Sequence, residues 1–370
     1  MGRISIDNIR SLVNHYNGFV DAVKYRKDES FYNDNNNIIE LSYNENPLGA
    51  GKLAIQAIRE KANFAHMYPP IGYVSFYDKL ASHLKISDKN LIIAPGSVAV
   101  IQLAIFQYAG RNDEVIFSKS SMPWYKWSTI GNNSIPIEIP LMEDMNHNLE
   151  AILDAINDKT KVIVISNPHN PTGLYINEQK ILSFIKQVPE NVLVVIDQAY
   201  FEYTEKREQI LINEINNFPN LLITRTFSKI YGLAGLRIGY GIAHKEIIDG
   251  LKAKWLGAMP SVTSLAVFAA TKALDDIEHI EKSREFNTNI KNKFYNLFDK
   301  YNVPYLVSEA NFVTFNVKDS KKYHHLFREH NIELTPGYFF GYPEWVRTSF
   351  IKDGEVQLNK IKQIIEYVYE

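Results

Sequence analysis

The sequence predicts an α/β fold: a mostly parallel sheet flanked by helices in a large domain, with a smaller α+β domain beside it. Three observations carry that expectation. Short, nearly continuous apolar runs recur through the middle of the chain, each closed by a turn signal: Leu91-Ile92-Ile93-Ala94, Val115-Ile116-Phe117, Val162 to Ile165, Val192 to Ile196 and Leu221-Leu222-Ile223. Helical patterns alternate with them, from Ser97 to Ala109 and from Glu178 to Gln187. Past about Pro260 the grammar changes, with two long helical stretches followed by shorter strands.

Taken in order, the first segment, Ile6 to Lys24, spaces Ile9, Leu12, Val13, Phe19, Val20 and Val23 as an amphipathic helix does, and the run Asn33-Asp34-Asn35-Asn36-Asn37 breaks it. Runs apolar on both faces belong to strands covered on both sides, which is how parallel sheets are built. The Ser97 to Ala109 stretch is apolar nearly all round and reads as a buried helix. Beyond Pro260, Ser261 to Leu274 and His279 to Lys300 read as helices, and Phe312 to Val317 and Trp345 to Phe350 as strands. Glu355 to Tyr369 closes the chain as an amphipathic helix carrying Val356, Ile361, Ile364, Ile365 and Val368. The expected division is an N-terminal helix and arm over 1–48 that packs with the small domain, a large domain over 49–262 and a small domain over 263–370.

Composition narrows the function classes. Of 370 residues 45% are hydrophobic, enough for a sizeable core, and 40 basic against 42 acidic residues leave a formal charge of −2, which points to no polyanionic partner. With no cysteine, disulfides, CxxC zinc sites and thiol nucleophiles are excluded. The charged N-terminus lacks the apolar core of a signal peptide, and no apolar run is long enough for a membrane span, so a cytoplasmic protein without membrane or nucleic-acid partners is expected. Walker, GxGxxG, HExxH and GxSxG patterns are absent, and the ten histidines show no ligand spacing beyond the adjacent His324-His325, so no metal is expected.

The chemistry concentrates in Thr226-Phe227-Ser228-Lys229-Ile230-Tyr231-Gly232, continued by Leu233 to Gly241. A lysine directly after a buried strand must be paired or chemically used, and desolvation makes its amine a better nucleophile towards an aldehyde. Upstream, Asp197 ends the run Val194-Val195-Ile196 and leads to Gln198-Ala199-Tyr200; a buried carboxylate there needs a cationic partner, though it also fits a helix cap. Ser166-Asn167-Pro168-His169-Asn170-Pro171-Thr172-Gly173 forms a rigid turn after another strand. Ala94-Pro95-Gly96-Ser97-Val98 runs from a strand into the buried helix, whose first amides suit an anion.

In this order the elements resemble class I/II aminotransferases of fold type I, which use pyridoxal 5′-phosphate (PLP), and especially the histidinol-phosphate aminotransferase branch. The resemblance spans about Leu41 to Ser349. It implies that Lys229 holds the cofactor as a Schiff base and then moves the substrate's Cα proton, that Asp197 pairs with the pyridine nitrogen, and that Tyr200 and Asn170 reach the phenolate oxygen. It implies that Gly96, Ser97, Val98, Ser228 and Arg237 hold the phosphate. Met122-Pro123-Trp124-Tyr125 resembles the element whose aromatic ring stacks on the cofactor, assigned here to Tyr125 with Trp124 second. Met67-Tyr68-Pro69 resembles the segment whose tyrosine reaches the neighbouring subunit's phosphate, which implies a homodimer with shared sites. Arg347, in Glu344-Trp345-Val346-Arg347-Thr348-Ser349, would clamp the substrate carboxylate, with Asn170 and Asn46 also on the substrate.

Two departures bear on the substrate. Leu41-Ser42-Tyr43-Asn44-Glu45-Asn46-Pro47-Leu48-Gly49 resembles the NENPxG signature of that branch, but Leu48 stands where a tyrosine is common. In Ile332-Glu333-Leu334-Thr335-Pro336-Gly337, Thr335 takes the place of an arginine that would bind a substrate phosphate. The expected function is amino transfer between an amino acid, or a histidinol-phosphate-like amine, and a 2-oxo acid, on a substrate that need not be phosphorylated. The alternatives are a PLP-dependent lyase or decarboxylase on the same fold and a non-enzymatic sensor domain; the latter lacks the expected N-terminal helix-turn-helix.

Overall fold

A computed structural model describes residues 38–69, 72–205, 208–256 and 262–370. The helix expected from Ile6 to Lys24 lies outside the described residues. After a short strand β1 (Ile39–Glu40), the chain builds a seven-stranded sheet from β2 (Leu91–Ala94), β3 (Glu114–Ser118), β4 (Ile135–Ile139), β5 (Thr160–Ser166), β6 (Leu193–Asp197), β7 (Leu221–Thr226) and β8 (Gly239–Ala243). The order across it is β2-β8-β7-β6-β5-β3-β4, and the strands from β4 to β7 pair in parallel. β8 runs antiparallel to both of its neighbours.

The continuous apolar runs are explained by two cores. Ile163, Ile165, Val194, Ile196 and Ile223 belong to one buried cluster, and the alternate residues Val162, Val164, Leu193, Val195 and Leu222 to the other. Successive side chains point to opposite faces of a strand, so a sheet packed on both sides needs apolar residues at every position. Each such side chain, fully buried, contributes roughly 1.5–3 kcal/mol.

Two strands escape the apolar-run pattern. β4 carries Pro136 and leaves Ile135 exposed, as an edge strand can. β8 contains Gly239 and Gly241, and its register requires them. A Cβ on Gly239 would stand 2.4 Å from the backbone nitrogen of Ser97, so the glycine lets the helix Ser97–Tyr108 begin directly against the sheet.

A second, antiparallel sheet joins β9 (Tyr305–Leu306), β10 (Phe312–Asn316), β12 (Thr335–Pro336) and β13 (Trp345–Ser349), in the order β12-β13-β10-β9. It packs with the helices Ile277–Lys300 and Gly354–Tyr369 around Phe294, Phe298, Phe315 and Ile361. β1 pairs in parallel with β11 (Ile332–Glu333), and buried Leu41 enters this same core. Residues 42–46 are thereby carried from the smaller core across to the large sheet. No helix among the described residues is long and apolar enough to cross a membrane.

Candidate active site

Parallel strands place the loops at their C-terminal ends side by side, and that edge is where such sheets hold ligands. Ser166, Asp197 and Thr224 lie in register across β5, β6 and β7. Asp197 is buried and accepts from the Tyr125 hydroxyl at 2.6 Å and from Thr224 Oγ1 at 3.2 Å. Burial pushes its carboxyl pKa up, while the Tyr125 and Thr224 hydrogen bonds and the charge of Lys229 oppose that shift.

Lys229 follows β7 on a turn stacked over this edge. Its Nζ donates to Tyr43 O at 2.8 Å and Asn44 O at 3.2 Å and lies 5.4 Å from the Tyr200 ring centre. Desolvation, reinforced by the positive charges of Arg347 and Arg237, lowers its pKa to about 7, against the pull of Glu45 and Asp197. An amine poised there is a nucleophile and a proton carrier near neutral pH.

Beside it is a nest of donors. Arg237, in a left-handed conformation (φ 52°), donates from Nη1 to Ala234 O at 2.8 Å and Ser228 Oγ at 3.3 Å. The Ser228 hydroxyl also accepts from Thr226 Oγ1 at 2.9 Å. Gly96 has φ 86°, and a Cβ on it would stand 2.7 Å from Nη2 of Arg237, so only glycine admits the guanidinium. The amides of Ser97 and Val98 open the helix Ser97–Tyr108, where no earlier turn supplies them an acceptor. Guanidinium, hydroxyl and helix N-terminus converge on a spot suited to a phosphate dianion.

On the other side stand the groups for a carboxylate. Arg347, buried on β13, donates to Asn170 Oδ1, to Ser42 O and, at 2.9 Å, to Thr335 Oγ1. Its guanidinium carbon lies 5.4 Å from the Phe312 ring centre and 5.6 Å from that of Phe340. Asn170 Nδ2 donates to the Tyr200 hydroxyl at 3.3 Å. The turn holding Asn170 is braced by Asn167, whose amide bonds both the nitrogen and the oxygen of Ile176 at 2.7 Å.

The structure thus brings Lys229, Asp197, Tyr200, Asn170, Arg347, Ser228, Arg237, Gly96, Ser97 and Val98 to one cleft. Three other expectations are met differently. Asn46 spends its amide on Ile230 O, Ser283 Oγ and Leu48 N, away from Arg347; Asn44, two residues earlier, donates to the Tyr200 hydroxyl at 3.0 Å. Strict extended alternation would turn residues two apart to the same side; the left-handed backbone at Asn44 (φ 54°) breaks it and parts the two side chains, which the motif alone does not reveal. Tyr125 has no exposed surface: its hydroxyl is held by Asp197 and its ring edge meets Phe117, so it presents no open face for stacking, whereas Trp124 is half exposed. Tyr68 is 94% exposed, outside this chain's own cleft.

Two buried histidines behind the cleft were not singled out from the sequence. His147 bonds Ser118 Oγ at 2.6 Å and Ser166 O at 2.8 Å, and its ring centre lies 4.2 Å from that of His169. Burial lowers both pKa values, that of His147 to about 4, so the pair supports the Asn170 turn as neutral imidazoles. Among the described residues no cluster of His, Asp or Glu could hold a metal.

A lysine beside a buried carboxylate, a phosphate-sized nest and an arginine clamp, on a mixed sheet of this order, define an aminotransferase of fold type I. Residues 36–358 match the family model of aminotransferase class I and II, and the chain belongs to that family. It is 37% identical over 332 residues to a histidinol-phosphate aminotransferase of Caldicellulosiruptor saccharolyticus, covering 89% of this chain and 92% of that one. A histidinol-phosphate aminotransferase of Anoxybacillus flavithermus is 35% identical, over 84% of this chain and 83% of that one. Among solved structures, histidinol-phosphate aminotransferase from Sinorhizobium meliloti in complex with pyridoxal-5′-phosphate superposes with a TM-score of 0.81 at 23% identity, over 89% and 91% of the chains. Amino-group transfer is the reaction class, and nothing in these comparisons favours a lyase.

Proposed function

We propose that the cleft binds PLP, with Lys229 as its covalent anchor, and moves an amino group between an unphosphorylated amino acid and a 2-oxo acid. The observation that carries this reading is the Lys229 amine, held near neutrality between a phosphate-sized nest and a buried carboxylate. When bound, the cofactor supplies an aldehyde for amines and a protonated pyridine ring that draws electrons from the substrate's Cα.

This chain's residues would divide the remaining work. Ser228, Arg237 and the amides after Gly96 hold the phosphate. Asp197, already in receipt of two hydroxyl donors, would pair with the ring nitrogen and hold its proton in place. Tyr200 and Asn170 donate towards the phenolate oxygen. Arg347 and Asn170 take the substrate carboxylate, and the Lys229 Nζ, once displaced, accepts the Cα proton and returns it one atom away.

The absence of an arginine at 335 supports an unphosphorylated substrate. Thr335 is buried and its hydroxyl serves Arg347, so it offers a phosphate no charge. Losing one charged partner of a phosphate costs about 2–5 kcal/mol in binding. The exposed run of Phe64, Met67 and Tyr68 supports a homodimer in which Tyr68 reaches the partner's cleft. Pairing of β1 with β11 supports an arm that ends at residue 48 and belongs with the small domain over 263–370, the large domain being 49–262.

The test is product analysis with a panel of amino acids and histidinol phosphate, each beside 2-oxoglutarate. Equal amounts of new 2-oxo acid and glutamate are expected from an amino-acid donor. Release of ammonia or carbon dioxide instead would overturn transamination, and a kinetic preference for histidinol phosphate over every common amino acid would overturn the substrate assignment.

A further inference from the structure

The Tyr200 hydroxyl receives two side-chain amides. Arg347 has donors only, so its bond to Asn170 Oδ1 fixes that side chain and leaves Asn170 Nδ2 donating to Tyr200. Asn44 Nδ2 donates to the same oxygen at 3.0 Å. With both lone pairs engaged, the phenol proton must point elsewhere. The ring itself packs edge-to-face with Phe312, at 5.2 Å between centres, which fixes where its hydroxyl sits.

Asn44 is placed for this at some expense. Its backbone is left-handed (φ 54°), a conformation asparagine tolerates better than most residues, and its Oδ1 is buried with no donor among the described residues. The amide is therefore not there to satisfy itself. The main-chain carbonyl oxygen of Asn44 accepts from Lys229 Nζ at 3.2 Å and from Asn311 Nδ2 at 3.0 Å, so one residue touches both the amine and the phenol of the site.

Resting on the reading of the cleft as a PLP site, we propose that Asn44 is a positioning residue: it sets the direction and strength of the Tyr200 hydroxyl as a donor and holds the resting position of Lys229. The charged and titratable groups facing Tyr200 are Arg347, Asp197, Lys229, Tyr125 and Tyr203, and none of them is an amide that substitutes for Asn44. Donors on the phenol oxygen favour its anionic form and so make its proton a better hydrogen-bond donor.

The experiment compares Asn44→Gly and Asn44→Asp with the parent as PLP-loaded proteins. Glycine keeps the left-handed backbone and loses the amide; aspartate keeps the shape and loses the donor. The readout is the pH midpoint of the visible band, with kcat and KM for one amino donor beside it. A weaker donor at the phenolate oxygen disfavours the deprotonated chromophore, so the midpoint rises. About one pH unit is expected for Asn44→Gly and more for Asn44→Asp, with kcat about tenfold lower and KM within about twofold, the scale of one hydrogen bond. An unmoved midpoint in both variants, or a downward shift in Asn44→Asp, would overturn the inference and leave the cofactor assignment standing. A parent protein with no band would overturn that assignment, and this inference with it.

Discussion

Asp197 and Gln198 are chain neighbours at the end of β6, and they face two different kinds of buried polar cluster. On the Gln198 side, Arg225 donates to Gln198 Oε1 from Nε at 3.0 Å and Nη2 at 2.9 Å, and Gln198 Nε2 donates to Glu178 Oε1 at 2.6 Å. The second Glu178 oxygen takes the Leu211 amide at 3.1 Å, and the Arg225 guanidinium lies 3.8 Å over the Phe201 ring. In that cluster a neutral amide bridges a cation and an anion, so charge is matched by charge. On the Asp197 side, the charges of Arg347 and Arg237 fall on Lys229 and are opposed by Glu45 and Asp197, of which only Asp197 is buried. A site with surplus positive charge, built of hydrogen-bond donors, is suited to anions, here a phosphate and a carboxylate. Balance makes one cluster structural, and imbalance makes the other functional.

Substitutions should separate the two clusters. Lys229→Ala is expected to lower kcat by about 10⁴-fold or more, the scale seen when a nucleophile that acts with its partners is removed, while folding stability is kept or rises. Asp197→Asn should follow, with kcat lower by about 10²- to 10³-fold and little change in denaturation midpoint. On the Gln198 side the pattern inverts. Arg225→Met leaves Glu178 buried beside an uncharged amide and should cost about 3–5 kcal/mol in urea unfolding, with kcat of the folded enzyme within about threefold of the parent. Equal activity losses from Arg225→Met and Asp197→Asn would erase the distinction.

A pH slope probes the lysine's burial directly. The Lys229 pKa is about 7 in the fold against 10.5 when free. Between those values the unfolded chain binds a proton that the folded chain has released, so stability rises with pH through that window; below about 7 the burial cost stands in full. Cofactor-free protein should therefore gain stability between about pH 7 and pH 10 relative to Lys229→Met. A parallel pH dependence in the two proteins would contradict the assigned desolvation.

The large sheet was legible because a strand packed on both faces has to be apolar at every position, as Val162 to Ile165 and Val192 to Ile196 are. β4 and β8 were not, since an edge strand tolerates Pro136 and the close approach of the helix at Ser97 forces glycine into β8. Residue types in the cleft were legible in the order of their motifs, but side-chain direction was not. Asn44 and Asn46 look alike in the chain; only the path from β1 to the large sheet decides that Asn44 meets Tyr200. Gln198 carried no visible meaning until Arg225 and Glu178, distant in sequence, were seen to meet across it.

The proposed chemistry turns on a covalent bond at one lysine. Reducing the PLP-treated protein with borohydride, digesting it and locating the modified residue by mass spectrometry tests that directly. The adduct is predicted on Lys229, in the peptide containing Ser228, and it should vanish in Lys229→Ala. Modification confined to other lysines, or an unchanged adduct in Lys229→Ala, would contradict the central claim.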